Sequence, residues 1–282
     1  MIWRKFIESI VYSHLWISIA AVSLISQTLF LIQGSWHIHV ISGLVFGCTL
    51  LIYSMHRLIG LSKLREIKAL LSFRYQIIGR SHKWILFLLY LGSAIAIACF
   101  FQLKTSTQIA MIIPGILSIL YVLPLLSKRK RLRDISIIKI FLIAFVWGTV
   151  AVIIPCIEFE KPIDSSLRLL FAEKTLFIFA ITLPFDIRDL KVDQTFGTKT
   201  IPLLLGINKT KILGQVIILI SALFVVFNSE IYSTTQTIAL VFGYVIILYL
   251  LHLTNQHRKD LFYSFGLDGT IILQTALLLI SG

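Results

Sequence analysis

Apolar stretches, each about as long as the ~20 residues of helix that cross a bilayer, alternate with short polar segments along the chain. They lie at 12–33, 38–61, 84–103, 107–127, 135–157, 167–187, 211–229, 234–253 and 261–281. Glycine, proline, asparagine and charged residues occupy the breaks between them. The pattern predicts an all-α polytopic membrane protein, a nine-helix transmembrane bundle in a single domain over residues 1–282.

The composition agrees with this pattern. Of the 282 residues, 57% are hydrophobic and 14% are charged, and the mean hydropathy is +0.92. The first apolar stretch is long enough to span and has no small-residue cleavage site, so we expect no cleavable signal peptide. Cys48, Cys99 and Cys156 lie in separate apolar stretches without disulfide or metal-ligand spacing, and we expect them to be packing residues.

Lysine and arginine residues are concentrated in alternate loops. They precede the first span and fill the loops after spans two, four, six and eight, whereas the other loops contain few. Because cytoplasmic loops are enriched in Lys and Arg, the N-terminus is expected in the cytoplasm and the C-terminus outside. The expected location is a bacterial inner (cytoplasmic) membrane. The net charge of +13 comes from these loops, so we expect contact with membrane lipids and no nucleic-acid partner.

Three carboxylates follow the sixth apolar stretch in the spacing D-x-x-D-x-x-x-D. Asp186, Asp189 and Asp193 would project from one face of a helix, because each residue turns it by about 100°. Three adjacent carboxylates repel one another, and a Mg²⁺ ion shared with substrate phosphates would relieve the repulsion. The alternative is a solvated helix end, with Arg188 and Lys191 as local partners.

Basic residues near the same side of the membrane allow two interpretations each. Arg57 ends the second span and either snorkels to the headgroups or meets a phosphate inside the bundle. His56 is either an interior histidine or a base. The basic run 128–133 either attracts lipid headgroups or binds phosphate. Lys139, within the first turns of the fifth span, could snorkel to the headgroups.

Polar and aromatic residues also lie deep within the predicted spans. Glu173 and Lys174 are expected to form an ion pair rather than a functional site. Trp147 is either a packing residue or a pocket wall. Asp268 either accepts structural hydrogen bonds or belongs to a polar cavity, since a carboxylate inside a span must face protein or water.

The string Asp186-x-x-Asp189-x-x-x-Asp193, followed by Gly197, Lys199-Thr200-Ile201-Pro202 and Leu205-Gly206, resembles the UbiA superfamily of intramembrane prenyltransferases. The segment from Tyr121 through Lys128-Arg129 to Trp147-Gly148 is similar to the central region of that family. The resemblance covers most of the chain by topology, and residues 120–206 by motif.

The resemblance implies nine helices around a central cavity open to the cytoplasmic side, in which Asp-rich motifs hold Mg²⁺ on the diphosphate of an isoprenyl donor. The acceptors used in the superfamily include quinone head groups, porphyrins, chlorins and glycerol phosphate. The implied site comprises catalytic and metal-binding Asp186, Asp189 and Asp193, diphosphate-binding Arg57, Lys128, Arg129 and Lys199, and cavity residues Tyr53, His56, Tyr121 and Asp268.

One motif of the family has no counterpart. Its first Asp-rich motif, Asn-Asp-x-x-Asp-x-x-x-Asp, should end the second span, where this chain reads Ser54-Met55-His56-Arg57-Leu58-Ile59-Gly60-Leu61 without a carboxylate. Two hypotheses follow. The protein is either a Mg²⁺-dependent prenyltransferase with a lipid or aromatic acceptor, or a degenerate family member that binds a prenyl lipid or quinone without transfer. A transporter is disfavoured, because no internal repeat or paired half-helices are evident.

Overall fold

The computed structural model describes residues 2–66, 82–124, 132, 137–195 and 197–282. These residues form helices and contain no strand, which confirms the all-α prediction. The helices are α1 Ile2–Tyr12, α2 Leu15–Gln33, α3 Val40–Glu66, α4 His82–Phe100, α5 Thr105–Ala110, α6 Ile112–Val122, α7 Ile138–Gly148, α8 Ile154–Glu158, α9 Ser165–Thr195, α10 Ile201–Leu205, α11 Ile207–Phe227, α12 Thr234–Leu253 and α13 Asp268–Ile280. Two π-helical segments, Thr149–Ile153 and Phe262–Leu267, lead directly into α8 and α13.

Eight helical segments in the described part of the chain are long and apolar enough to cross a membrane. They coincide with eight of the nine predicted spans. The remaining predicted span, 167–187, corresponds to α9, which has 31 residues and carries both Glu173-Lys174 and the three aspartates. These charged residues make α9 too polar to be recognised as a membrane-spanning helix from its composition alone. That α9 crosses the membrane stays a prediction.

Prolines account for the breaks within two of the spans. Proline has no N–H and its ring clashes with the carbonyl four residues earlier, which weakens a helix at that point. The carbonyl four residues before Pro114 belongs to Ala110, where α5 ends. The carbonyl four residues before Pro155 lies inside the π-helical segment between α7 and α8. Each break lies within a span that stays continuous overall.

Contacts between helix ends define the two ends of the bundle. At one end, Lys139 at the start of α7 reaches Asp193 near the end of α9, and Trp16 at the start of α2 stacks on Phe265 before α13. We call this the basic end, because the Lys- and Arg-rich loops of the sequence adjoin these helix ends. At the opposite end, exposed Lys104 and Glu160 form an ion pair of 2.6 Å.

Small residues allow close contacts between the helices that surround the site. A Cβ atom on Gly47 of α3 would lie 2.7 Å from the Gly92 carbonyl oxygen and 2.7 Å from the Ala96 nitrogen of α4. On α7, a Cβ atom on Gly148 would lie 2.1 Å from the Thr175 hydroxyl of α9. Such contacts let helix backbones approach closely in a membrane bundle.

A buried ion pair joins four helices toward the opposite end. The Lys174 ammonium lies 3.0 Å from the Glu173 carboxylate and donates to Gln27 of α2 at 2.6 Å. Tyr244 of α12 donates to Glu173, and Gln27 donates to Thr275 of α13. Glu173 and Lys174 are 1% and 2% exposed, so the predicted ion pair is confirmed as an internal connection between helices.

Candidate functional site

The C-terminal part of α9 carries the first half of the candidate site. The Lys139 ammonium of α7 lies 2.7 Å from the Asp186 carboxylate and 3.5 Å from that of Asp193. Asp186 and Asp193 are two helical turns apart, so both project toward α7. Lys139 and Asp186 are only 7% and 5% exposed. Lys139 therefore does not snorkel to the surface, in contrast to the possibility considered from the sequence. Two carboxylates hold its ammonium inside the bundle.

Arg188 organises the second half of the site. Its guanidinium donates two parallel hydrogen bonds to Asp189, at 2.7 and 2.9 Å, and lies 3.5 Å from the Asp260 carboxylate before the last span. The guanidinium also lies 5.0 Å from the ring centre of Phe185 and 5.6 Å from that of Tyr263. Bidentate pairing and stacking on aromatic rings together fix its orientation.

The three predicted aspartates therefore belong to two ion-pair groups. Asp186 and Asp193 share Lys139, whereas Asp189 pairs with Arg188. Asp268, at the start of α13, interacts electrostatically with Arg188, which associates it with the second group. The alternative prediction, a solvated helix end with Arg188 as a local partner, agrees with the pairing of Arg188 and Asp189. It does not agree with the burial of Asp186, so this end of α9 is not simply solvated.

An apolar cavity of about 130 Å³ lies between α3, α6 and α7. Tyr53 and His56 of α3, Tyr121 of α6 and Trp147 of α7 line it. Leu142 and Ile143 of α7 also line it and lie one helical turn after Lys139, so the cavity adjoins the Lys139 pair. The cavity is smaller than the ~300–1,000 Å³ of small-molecule pockets, so a prenyl chain would have to widen it.

A second, wholly apolar groove of about 380 Å³ lies between α7, α9, α10 and α11. Phe141, Phe179 and Ile201 are among the side chains that line it. Because it has no polar lining and no catalytic groups, it fits a hydrocarbon chain rather than a charged head group.

The other predicted residues are distributed as follows. Arg57 is buried, with 6% of its surface exposed, which disfavours the snorkelling interpretation. Lys199 is exposed on the segment between α9 and α10. Lys128 and Arg129 lie outside the described residues, as does the rest of the basic run apart from residue 132.

Sequence reasoning named Arg188 as a local partner of the aspartates but missed the roles of Lys139 and Asp260 in this cluster. Lys139 carried a signal, because a cation within the first turns of a span needs a partner or an aqueous path. Asp260 carried no sequence signal for its role. Its contact with Arg188 joins positions 72 residues apart, which only the folded bundle brings together. Trp147 both packs against the core and lines the cavity, so its two interpretations are compatible.

The arrangement of the carboxylates does not fit the predicted Mg²⁺ site. In the described part of the chain, no group of three or more His, Cys, Asp or Glu side chains could hold a metal ion. The Lys139 ammonium occupies the position between Asp186 and Asp193, and Asp189 points to Arg188. A second Oδ atom of Asp186 is buried without a hydrogen-bond partner, but a single oxygen does not make a site for an ion that prefers octahedral coordination.

The fold and the site define an integral membrane helical bundle with a buried cluster of acids and bases at one end, beside an apolar cavity. Residues 75–267 match the UbiA prenyltransferase family. The chain therefore belongs to this family, and the resemblance inferred from its sequence is confirmed. No curated protein matches the chain significantly.

Solved structures share the fold over nearly the whole chain. The apo UbiA homologue from Aeropyrum pernix K1 is 16% identical, with a TM-score of 0.68, over 94% of this chain and 98% of that one. The UbiA homologue from Archaeoglobus fulgidus bound to GPP and Mg²⁺ is 9% identical, with a TM-score of 0.66, over 97% and 99%. A digeranylgeranylglyceryl phosphate synthase is 15% identical, with a TM-score of 0.55, over 97% and 96%.

Proposed function

We propose that this protein is a prenyltransferase that moves an isoprenyl chain from an isoprenyl diphosphate to a lipid or aromatic acceptor. The observation that carries the proposal is the ion pair of Lys139 with Asp186 and Asp193, one helical turn from a cavity lined by aromatic side chains. Charged groups for a diphosphate and an apolar space for a hydrocarbon chain thus adjoin. Family membership and the GPP-bound Archaeoglobus relative support this substrate class.

The reaction would begin with heterolysis of the bond between C1 of the isoprenyl chain and the diphosphate oxygen. The electron pair leaves with the diphosphate. The cations proposed to contact the diphosphate are Arg57 and Lys199, together with Lys128 and Arg129, which lie outside the described residues. Fixed positive charges aimed at the leaving group stabilise the charge that develops there. The allylic cation would lie against aromatic faces such as Tyr53 and Tyr121.

The acceptor would then complete the transfer. Its nucleophilic atom forms a bond to C1 of the isoprenyl chain and loses a proton, which the released diphosphate accepts. The dry cavity favours this outcome, because exclusion of water prevents hydrolysis of the cation. The aspartates of α9 would orient the cations of the site. The Archaeoglobus relative is bound to GPP and Mg²⁺, whereas the ion pairs of Asp186, Asp189 and Asp193 do not fit a Mg²⁺ site in this chain.

The test is turnover by the purified protein in nanodiscs. Radiolabelled dimethylallyl, geranyl, farnesyl and geranylgeranyl diphosphates would be supplied with membrane lipids from a strain that lacks the protein, in Mg²⁺ or in EDTA. The proposal predicts a labelled lipid and an equal amount of released pyrophosphate from at least one donor. If the protein neither binds nor consumes any of the four donors, the proposal is wrong.

A second function, binding of a prenyl lipid or quinone without transfer, is favoured by one observation. Residues 54–61 contain no carboxylate, and the carboxylates of α9 are already engaged in ion pairs. Asp189→Ala separates the two functions. A binding protein would keep its cellular function if the variant folds normally, whereas a transferase would lose the labelled lipid product.

A further inference from the structure

The position of Lys139 is unusual for a cation in a transmembrane helix. It lies in the second position of α7, buried, with its ammonium directed at two carboxylates of another helix. A buried charge is retained only where its desolvation is compensated by paired charges and hydrogen bonds. The two carboxylates provide that compensation, and they fix the ammonium between them.

The place that Lys139 fills is the place a divalent cation would need. Asp186 and Asp193 both bind the same ammonium, so a single point between them is close to both carboxylates. Without a cation there, buried Asp186 and partly buried Asp193 would repel an incoming diphosphate. Lys139 supplies that cation from the chain itself, as a permanent part of α7.

The facing helix α3 is equally unsuited to hold a metal ion. The segment that ends its apolar part, residues 54–61, has no carboxylate and carries buried Arg57 instead. A guanidinium binds phosphate oxygens directly and in a bidentate manner. Two of the three helices that enclose the cavity therefore each contribute a buried cation, Arg57 from α3 and Lys139 from α7.

Lys139 is also placed to reach the substrate. It precedes the cavity-lining residues Leu142 and Ile143 by one turn of the same helix, so it lies on the same helix face as they do. An ammonium has three N–H donors. In the described part of the chain its acceptors are Asp186 and Asp193, which leaves the third N–H for an oxygen of the diphosphate.

We propose that Lys139 replaces a divalent cation at the carboxylates of α9, so that an isoprenyl diphosphate binds this protein without Mg²⁺. The proposal rests on the proposed function, because it names how the same site neutralises its diphosphate. Lys139 then binds the diphosphate directly. Its positive charge also offsets the negative charges of Asp186 and Asp193, so that these carboxylates do not repel the diphosphate.

The test is equilibrium binding of the four radiolabelled isoprenyl diphosphates to purified protein in phosphatidylcholine nanodiscs. Each is measured in excess EDTA and in excess Mg²⁺. The proposal predicts dissociation constants that agree within about threefold between the two conditions, a difference below about 1 kcal/mol. Lys139→Met should weaken binding in EDTA at least about tenfold, and Mg²⁺ should restore part of it, because the vacated carboxylates can then hold the metal.

Lys191→Met is the matched control. Lys191 is exposed on α9 between Asp189 and Asp193, so this variant removes the same formal charge beside the site without breaking the buried pair. Its binding in EDTA should equal that of the wild type. Lys139→Met leaves Asp186 without its cation, so this single variant is at risk of not folding. In that case the double variant Lys139→Met with Asp186→Asn, which removes both charges, tests the same loss of isoprenyl diphosphate binding in EDTA.

The outcomes separate this inference from the proposed function. Binding that requires Mg²⁺, or binding in EDTA that neither Lys139→Met nor the double variant weakens, overturns the role of Lys139 and leaves the prenyltransferase proposal standing. Absence of binding in both conditions contradicts the prenyltransferase proposal itself.

Discussion

At the scale of single residues, Arg188 links two elements that are far apart in the chain. Its guanidinium engages both oxygens of Asp189, approaches Asp260, and lies over the rings of Phe185 and Tyr263. A planar guanidinium satisfies all of these contacts at once, whereas a lysine ammonium makes only point contacts. Arg188 therefore fixes the end of α9 against the start of the last span.

Arg188→Lys should consequently destabilise the protein although the charge is kept. We expect a loss at or below the low end of the about 1.5–3 kcal/mol range for hydrogen bonds to charged groups, because the Asp189 side chain is 43% exposed, and a lower midpoint of thermal unfolding in detergent. Lys191→Arg is the control, because the same chemical exchange at an exposed position should leave the midpoint unchanged. Equal midpoints for both variants and the wild type would show that the bidentate contact is not structural.

Some of these residues could be identified from the sequence and others could not. The spacing of Asp186, Asp189 and Asp193 marked them, because a helix brings positions three and seven apart onto one face. Local spacing does not say which cation each carboxylate meets. Lys139 is 47 residues before Asp186 in the sequence, and only the packing of α7 against α9 brings them together.

At the scale of elements, the contact between α3 and α4 controls where the cavity wall lies. Gly47 has no side chain, and any Cβ there would meet backbone atoms of α4 at 2.7 Å. Backbone cannot move aside as a flexible side chain can, so the two helices would have to separate. Because α3 also carries Tyr53, His56 and Arg57, the separation would displace the residues of the site.

Gly47→Ala should therefore weaken isoprenyl diphosphate binding and lower the unfolding midpoint. A clash of this kind costs about 1–3 kcal/mol. Gly115→Ala in α6 is the matched control, since a Cβ there meets nothing within 4 Å and alanine favours a helix by up to about 1 kcal/mol. A Gly47→Ala variant as stable as Gly115→Ala would contradict the close packing of α3 and α4.

The ion pair of Glu173 and Lys174 makes a second prediction at this scale. Lys174→Met leaves the Glu173 carboxylate buried and uncompensated, which should destabilise the bundle by about 3–5 kcal/mol. The double variant with Glu173→Gln removes both charges and should recover much of that loss. The measurement is thermal unfolding of Lys174→Met, Glu173→Gln and the double variant, and additive destabilisation would show that the pair does not act as a unit.

At the scale of the whole molecule, the sequence determined the architecture more completely than the site. Apolar stretches of bilayer length predict helices whatever their partners, because backbone groups inside a membrane must satisfy one another. Eight of the predicted spans appear as such helices. The breaks before Pro114 and Pro155 follow from the chemistry of proline. The volume of the cavity could not be predicted, since it depends on how side chains of three helices pack.

Charge asymmetry between the two ends makes a prediction about orientation. Lys191 lies at the basic end, and exposed Glu160 lies at the opposite end. The enrichment of cytoplasmic loops in Lys and Arg predicts that Glu160 lies on the outer side of the membrane. Glu160→Cys should react with a membrane-impermeant maleimide in intact cells, whereas Lys191→Cys should react only after permeabilisation. The reverse pattern would contradict the orientation.

The most direct test of the central claim is an experimental structure of the protein in nanodiscs with geranyl S-thiolodiphosphate, a donor analogue that resists cleavage. The account predicts the diphosphate between Arg57 and Lys139 and the geranyl chain in a widened cavity between Tyr53 and Tyr121. An analogue that lies elsewhere, with the cavity empty and the Lys139 pair without a ligand, would contradict it.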